Sequence, residues 1–383
     1  MRTLYFDHAA TSWPKPPGVV EAMERALVDL GGNPGRGAYR MAVEAARAIH
    51  SARHEVAALL GADDAKNLLF QPGCTQAMNL VLAGLLAPGD RVVACAGEHN
   101  AVARPLNALA SRGVEVVLAP VDESGRIDVD SVALLVDQAA TRAVVCQHAS
   151  NVTGAIQPIA DLANIAHENG ALMLVDGAQA GGHLPVDLAT LGVDAWACAG
   201  HKGLLGPQGV GVLYLSPECE PAELVFGGTG QGDSEHPLGP RARPDRYEAG
   251  TPNVPGIVGL GAAARWLAEY GAEQRELEAS LARRLIGGIR SLGGFRVLGP
   301  GDGEPRVPIA SIVHDRVLAA QLAFSLDRRY GVAARSGLHC APWAHRALGT
   351  AETGALRLSV GVGLTEADVD VVVQALEVLG KER

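Results

Sequence analysis

Short apolar runs alternate with segments of helical periodicity between residues 42 and 215, and this alternation constrains the fold more than any other feature. Helices are predicted over 42–60, 75–86, 101–112, 128–139 and 158–169. Strands are predicted over 67–70, 91–96, 114–120, 143–150, 171–176, 194–199 and 209–215. Strands separated by helices tend to pair in parallel, with helices on both faces of the sheet. We therefore predict an α/β fold with a mostly parallel sheet sandwiched by helices.

The pattern changes in the last third of the chain. Residues 227–256 are rich in glycine, proline and charge, and they are predicted to form a long loop, of a kind that is usually functional or disordered. Helices are then predicted over 257–291, 316–330 and from 365, with strands over 309–314 and 356–361. We predict a large α/β domain over residues 15–257 and a smaller α+β domain formed by residues 1–14 and 258–383.

Composition excludes several classes of partner. The chain has 383 residues and a formal net charge of −10 without a basic block, so we expect no nucleic-acid partner. No apolar stretch reaches membrane-spanning length and the N-terminus lacks a signal-peptide core, so we expect no membrane association. Six cysteines show no CxxC pair, which predicts reduced thiols in a cytoplasmic protein.

A carboxylate and an amine follow two of the predicted strands. Asp176 ends the strand 171–176, and Lys202 stands between glycine-containing turns after the strand 194–199. Open α/β sheets bind their ligands at the carboxyl ends of the strands. This pair predicts a pyridoxal 5'-phosphate (PLP) site, in which Lys202 holds the aldehyde as a Schiff base and Asp176 keeps the ring nitrogen protonated. Taken alone, a lysine after a strand is more often a solvated surface charge.

Further polar residues follow other strands. Thr75 begins a predicted helix, whose N-terminus suits a phosphate, although an ordinary N-cap is the alternative. His99 could stack on a flat cofactor or be a plain loop residue, and Asn151 and Gln179 could donate hydrogen bonds to a ring oxygen. Because parallel strands end at the same edge of a sheet, we expect these side chains to lie together there.

Four segments resemble the cysteine desulfurase family, which belongs to the class V aminotransferase group of fold-type I PLP enzymes. They are YFDHAATSWPKP (5–16), the stretch 174–214 around DGAQAGGH and AGHKGLLGPQGVG, YEAGTPN (247–253) and RSGLHCAPWAH (335–345). The resemblance covers essentially the whole chain, and its motifs are specific in combination. It implies a PLP-dependent transferase fold of type I.

The resemblance implies cofactor-binding roles at the matching positions. Lys202 would bind PLP and shuttle the α-proton, Asp176 would pair with the pyridinium nitrogen, and Gln179 would contact the ring oxygen. His99 would stack on the ring and assist proton transfer, while Asn151 would contact the ring oxygen or the substrate carboxylate.

Other positions are implied to bind the phosphate. Thr75 and His201 would do so, and Cys74, beside Thr75, is counted among the cofactor-binding residues. Thr251 would reach the phosphate of the partner subunit in a homodimer. Ala199 departs from the family, because it stands where a serine or threonine usually offers the phosphate a hydroxyl.

The remaining implied roles concern the substrate. Arg357 would clamp the substrate carboxylate with its guanidinium fork, and Arg335 would support the same region. Cys340 would be the nucleophile, which must attack as a thiolate and so needs a depressed pKa or a nearby base; His339 is its sequence neighbour. A buried structural thiol is the alternative for Cys340, but the Gly/His/Pro-rich setting favours an exposed loop.

These roles predict a cytoplasmic homodimer that converts L-cysteine to L-alanine and carries a persulfide on Cys340 for a sulfur-acceptor protein. No metal is expected. Alternatives are a selenocysteine or cysteine-sulfinate lyase, a cystine lyase, an epimerase, or a non-catalytic partner protein of the same fold. His8, in place of an asparagine common in the family, and the lack of a histidine in residues 33–37 leave the substrate open.

Overall fold

The computed structural model describes residues 2–35, 37–228 and 236–382. Within them the strands are β1 Leu4–Tyr5, β2 Leu68–Gln71, β3 Arg91–Cys95, β4 Glu115–Ala119, β5 Ala143–Gln147, β6 Leu172–Asp176, β7 Ala195–Ala199, β8 Gly211–Leu215, β9 Phe295–Leu298, β10 Ile309–His314, β11 Val332–Ala333, β12 Arg335–Gly337 and β13 Ala355–Ser359. The helices are α1 Val19–Asp29, α2 Arg40–Leu59, α3 Cys74–Leu85, α4 Asn100–Ala110, α5 Val129–Gln138, α6 Ile159–Glu168, α7 Val254–Arg290, α8 Ala319–Tyr330, α9 Pro342–Ala347 and α10 Glu366–Lys381.

The largest sheet has seven strands in the order β2-β8-β7-β6-β5-β3-β4. Strands β4, β3, β5, β6 and β7 run parallel, and β8 is antiparallel to both of its neighbours, β7 and β2. Helices cover both faces: α1, α2, α5, α6 and the first half of α7 pack on one core, and α3 and α4 pack on the other. The α/β fold with a mostly parallel sheet is confirmed.

A second, antiparallel sheet has the order β12-β13-β10-β9. It packs with α8, α10, the second half of α7 and the N-terminal residues Leu4 and Phe6 around a separate core. Helix α7 is 37 residues long and contacts both cores. The division at residue 257 therefore falls inside its first turn, and the domain boundaries stay a prediction.

The structure differs from the predicted elements mainly where the elements are short or weakly patterned. Helices α1 and α9 and the strands β1, β9, β11 and β12 are additional. Strands of two to four residues and a helix of six residues are too short to show periodicity. Helix α7 begins at Val254, three residues early, because the Asn253 side chain accepts a hydrogen bond from the backbone of Gly256 (3.1 Å) and caps it.

The predicted loop over residues 227–256 is described only in part, since residues 229–235 lie outside the described residues. Residues 236–253 contain turns but neither helix nor strand, and the last three residues of the predicted loop belong to α7. Among the described helices, none has the length and hydropathy needed to span a membrane.

Candidate active site

The carboxyl ends of β2, β3, β5, β6 and β7 meet at one edge of the large sheet, because β2 runs in the same direction as the parallel strands. A cavity of about 430 Å³ opens at this edge. Its lining includes Cys74, Thr75, His99, Asn151, Asp176, His201, Lys202, Arg335 and Arg357. The convergence expected from strand ends is therefore seen in the structure.

Asp176 lies at the bottom of the cavity and is almost fully buried. Its Oδ1 accepts hydrogen bonds from the backbone of Ala178 (2.9 Å) and from the Cys74 thiol (3.3 Å). Burial, followed by the nearby Asp176 carboxylate, raises the pKa of Cys74 well above its usual range, so Cys74 is a neutral donor and not a nucleophile. The carboxylate is thus held in one orientation, with its second oxygen available to a cationic partner.

The first turn of α3 forms one wall of the cavity. The helix begins at Cys74 without a side-chain cap, so the first backbone N–H groups beside Thr75 and Gln76 are available to a ligand. These groups and the helix dipole together favour an anion. The Nδ1 atom of His201 is buried and has no partner within the described part of the chain, which suits a ligand that offers hydrogen-bonding oxygens.

Two histidines beside the cavity are held neutral. Burial, with a smaller contribution from the Lys202 charge, lowers the pKa of His99 to about 4, and the same causes lower the pKa of His201 to about 4. The Nδ1 atom of His99 accepts a hydrogen bond from the backbone of Ala101 (3.0 Å), which fixes its ring at the start of α4. A fixed, uncharged ring is suited to stacking on a flat ligand.

Two amide side chains are held by backbone carbonyls. The Nδ2 atom of Asn151 donates to the carbonyl of His339 (2.8 Å), and the Nε2 atom of Gln179 donates to the carbonyl of Ala9 (2.9 Å). Each amide oxygen is buried and lacks a partner in residues 2–35, 37–228 and 236–382, and such atoms normally find one in a ligand or water. Asn151 lines the cavity, whereas Gln179 lies behind its wall.

Arg357 is buried to 1% exposure on β13, at the junction of the two sheets. Its Nη2 atom pairs with Asp7 Oδ1 (2.9 Å) and its Nη1 atom donates to the carbonyl of Asn151 (3.2 Å). The Nε atom has no partner among the described residues. Because Arg357 also lines the cavity, its anchored guanidinium can bind a carboxylate there in a fixed orientation.

Cys340 lies in a short loop between β12 and α9 and is exposed, while the other five cysteines are buried. Its Sγ atom is 3.2 Å from Nη2 of Arg335, a cation that also lines the cavity. His339 and Cys340 both adopt left-handed backbone conformations, with φ of 49° and 57°. Two consecutive non-glycine residues in this region have a strained backbone. The carbonyl of Cys340 accepts a hydrogen bond from the backbone N–H of Asn100 (2.7 Å), which helps to keep the loop in this conformation.

His339 is not placed to act as a base for its neighbour. Its Nε2 atom lies 3.2 Å from the carbonyl of Arg335, and its Nδ1 atom lies 3.2 Å from Nε2 of His345. The Nδ1 atom of His345 is 2.8 Å from the Thr350 hydroxyl. Burial, with a contribution from the Arg357 charge, lowers the pKa of His339 to about 3, so this row of side chains is a neutral support under the loop.

Three predicted residues stand apart from the cavity lining. Gln179 donates a hydrogen bond to the Ala9 carbonyl behind the cavity wall, and Cys340 contacts the lining residue Arg335. Thr251 is exposed just before α7. Sequence reasoning missed Asp7 as the partner of Arg357, and it missed the support by His345 and Thr350. Asp7 and His345 both belong to motifs that resemble the family, YFDHAATSWPKP (5–16) and RSGLHCAPWAH (335–345), so the resemblance could have pointed to them; Thr350 lies outside those motifs.

The comparisons with known proteins agree over the whole length of the chain. The sequence model of the Aminotransferase class-V family matches residues 4–372. The chain is 35% identical to a probable cysteine desulfurase of Methanothermobacter thermautotrophicus, covering 98% of this chain and 94% of the relative. It is 34% identical to cysteine desulfurase CsdA of Escherichia coli, covering 98% of this chain and 93% of the relative.

Solved structures resemble this fold over nearly the whole chain. The apo structure of a cysteine desulfurase from Thermococcus onnurineus gives a TM-score of 0.92 at 31% identity, covering 99% of this chain and 95% of the other. CsdA of Escherichia coli gives a TM-score of 0.87 at 33% identity, covering 98% and 94%. With a family match across nearly the whole sequence and relatives of this identity and coverage, the chain belongs to the class V aminotransferase family.

Proposed function

We propose that this chain is a PLP-dependent cysteine desulfurase, which converts L-cysteine to L-alanine and leaves the sulfur as a persulfide on Cys340. The observation that carries the proposal is the position of Cys340. It is an exposed thiol on a strained loop, 3.2 Å from an arginine that lines the cavity. The relatives named cysteine desulfurase, at 34–35% identity over nearly full length, support the same reaction.

The residues around the cavity fit PLP. Asp176 presents a buried carboxylate for a ring nitrogen, the first turn of α3 and the unpaired Nδ1 of His201 offer hydrogen bonds to a phosphate, and Lys202 lies beside them. The amide oxygen of Asn151, a residue of the cavity lining, has no partner among the described residues and could accept a hydrogen bond from a ligand. When bound, PLP would supply an electron sink for the substrate amino acid.

The chain's own groups would then orient the substrate and move its protons. Arg357 would bind the substrate carboxylate, with Asp7 and the Asn151 carbonyl fixing the plane of its guanidinium. The amine of Lys202 would take and return the α-proton. His99, neutral and fixed by Ala101, would lie over the ring.

Cys340 would perform the sulfur transfer. Its thiolate attacks the substrate sulfur, a sulfur–sulfur bond forms, and the sulfur–carbon bond of the substrate breaks, with the electron pair returning to the carbon that becomes alanine's methyl group. The Arg335 guanidinium beside Sγ stabilises the negative charge of the attacking sulfur. This role falls to Arg335 because His339 has both ring nitrogens engaged.

We also propose a homodimer and a separate sulfur acceptor. Thr251 is exposed and lies outside the lining of the cavity in its own chain, as expected of a residue that completes the partner's phosphate site. Cys340 is exposed, as expected of a persulfide that is handed to an acceptor protein. Sedimentation of an active enzyme at about twice 39.6 kDa would support the dimer, and an active monomer would contradict it.

The test of the reaction is Cys340→Ser. The variant should keep the visible absorbance of bound PLP and still bind L-cysteine, but persulfide and nearly all alanine formation should be lost, by orders of magnitude in rate. Leu338→Ser, an exposed change in the same loop, serves as the control and should retain persulfide formation. Unchanged alanine production by Cys340→Ser would exclude a persulfide-forming desulfurase, and a panel with selenocysteine, cysteine sulfinate and cystine would then identify the preferred substrate.

The cofactor has an independent test. Borohydride treatment of PLP-loaded protein should remove the visible band and leave the label on Lys202. Protein that stays colourless after incubation with PLP would contradict the cofactor assignment without reference to Cys340.

A further inference from the structure

Two histidines lie one helical turn apart on α2, outside the lining of the cavity described above. His50 and His54 are four residues apart, so their side chains project from the same face of the helix. Both are exposed, and their rings lie with centroids 4.3 Å apart. The two Nε2 atoms are 3.1 Å from each other. The proposed desulfurase reaction uses neither residue.

The spacing of the two nitrogens matches the bite of a metal chelate. Imidazole nitrogens bind zinc at about 2.0–2.1 Å, so two of them on one ion lie about 2.9–3.4 Å apart for coordination angles of about 90–109°. The observed 3.1 Å falls inside this range. In the absence of an ion the same contact requires one ring to donate a proton to the other, and a metal ion would replace that proton.

The surroundings supply room and negative charge. His50 and His54 line a cavity of about 350 Å³ together with Asp64, Lys66 and Asp245. The carboxylate of Asp64 lies near enough to His54 to be influenced by it, although its hydrogen bonds with Lys66 are the larger cause of its lowered pKa. Lys66 is itself paired with Asp64 (2.8 Å), which offsets part of its charge. Water can fill the remaining coordination positions of an ion in an open cavity.

We propose that His50 and His54 form a surface chelate for a borderline divalent transition-metal ion, such as Zn²⁺. Nitrogen ligands favour ions of this class over Mg²⁺ and Ca²⁺, which prefer oxygen. The site is separate from the cavity that holds Lys202 and Asp176, since the two cavities share no lining residue among those that the structure describes. The proposed metal site therefore does not depend on the proposed reaction.

Calorimetric titration of the PLP-loaded protein with Zn²⁺ tests the site. Cys340 is first alkylated, because it is the exposed thiol and would compete for the ion, whereas the other five cysteines are buried. One ion per chain should bind. His50→Ala and His54→Ala should each weaken Zn²⁺ binding by at least about 10- to 100-fold. Loss of a residue that only orients a metal ligand already costs this much, and each variant removes a direct ligand.

A spacing control separates chelation from the mere presence of two histidines. The double variant His54→Ala with Ser51→His keeps two exposed histidines on α2 but places them side by side in sequence, where they do not face each other. It should bind Zn²⁺ as weakly as His54→Ala. Circular dichroism should show that all variants keep their helix content. Equal Zn²⁺ affinity in the unmodified sequence and both alanine variants, or full affinity in the spacing control, would overturn the proposal.

Discussion

Gly177 follows Asp176 directly, and its lack of a side chain allows the indole of Trp196 to pack against the backbone. A Cβ atom at Gly177 would lie 2.5 Å from Nε1 of Trp196 and closer still to two of its ring carbons. Trp196 is fully buried on β7, and its Nε1 donates to Nδ1 of His148 (3.3 Å). The ring is packed on all sides, so it cannot rotate away without disturbing the core.

The expected cost of Gly177→Ala follows from this overlap. Inserting a methyl group into a packed core costs about 1–3 kcal/mol of unfolding free energy, and occasionally more. We expect the upper end of this range, since both the Trp196 packing and its hydrogen bond to His148 are disturbed. The displaced backbone also carries Asp176, whose Oδ1 is held by the Ala178 backbone (2.9 Å), so PLP affinity should fall together with stability.

Urea unfolding of the PLP-loaded protein and titration of PLP by its absorbance measure the two effects. Gly287→Ala is the matched control, because Gly287 is exposed inside α7 and a Cβ atom there meets nothing within 4 Å. That change should stabilise the protein by up to about 1 kcal/mol through helix propensity. If Gly177→Ala unfolded at the same urea concentration as the unmodified protein, the packing argument for Trp196 and Asp176 would be wrong.

Two further predictions concern residues beside the same sheet edge. Burial, with smaller contributions from Cys95 and Asp176, raises the pKa of Glu98 well above its ordinary 4.5. The contribution of Glu98 to stability therefore falls as pH rises above 4.5, where this residue ionises only in the unfolded chain. Glu98→Gln cannot ionise and should gain relative stability with rising pH, by at most about 1.4 kcal/mol per unit; parallel melting temperatures of the two proteins between pH 5 and 8 would contradict this. Ala199→Ser places a hydroxyl at the cavity wall, where a hydrogen bond to a charged phosphate contributes about 1.5–3 kcal/mol, so PLP should bind about tenfold more tightly or better. Unchanged or weaker PLP binding would mean that this position does not face the phosphate.

Local patterns along the sequence were sufficient to predict the large sheet and the residues at its edge. Apolar runs such as those of β3, β5 and β6 are buried on both faces, and the helices between them enforce parallel pairing. Parallel strands end at one edge, so placing Asp176 and Lys202 together required only the order of strands and helices. The resemblance added roles for Cys340, Arg335 and Arg357 that no local pattern could supply.

Other features were decided only by tertiary structure. Arg357 pairs with Asp7 across 350 residues, and Arg335 meets the Cys340 sulfur only because β12 and the following left-handed turn bring them together. The strands β1 and β11 have two residues each and exist through their mutual pairing. His50 and His54 share a helix face that the sequence already dictates, but their 3.1 Å separation depends on the rotamers that the neighbouring segments allow. Periodicity determines which face of an element is buried, whereas contacts between distant segments depend on how whole elements pack, and that information is not local to any stretch of sequence.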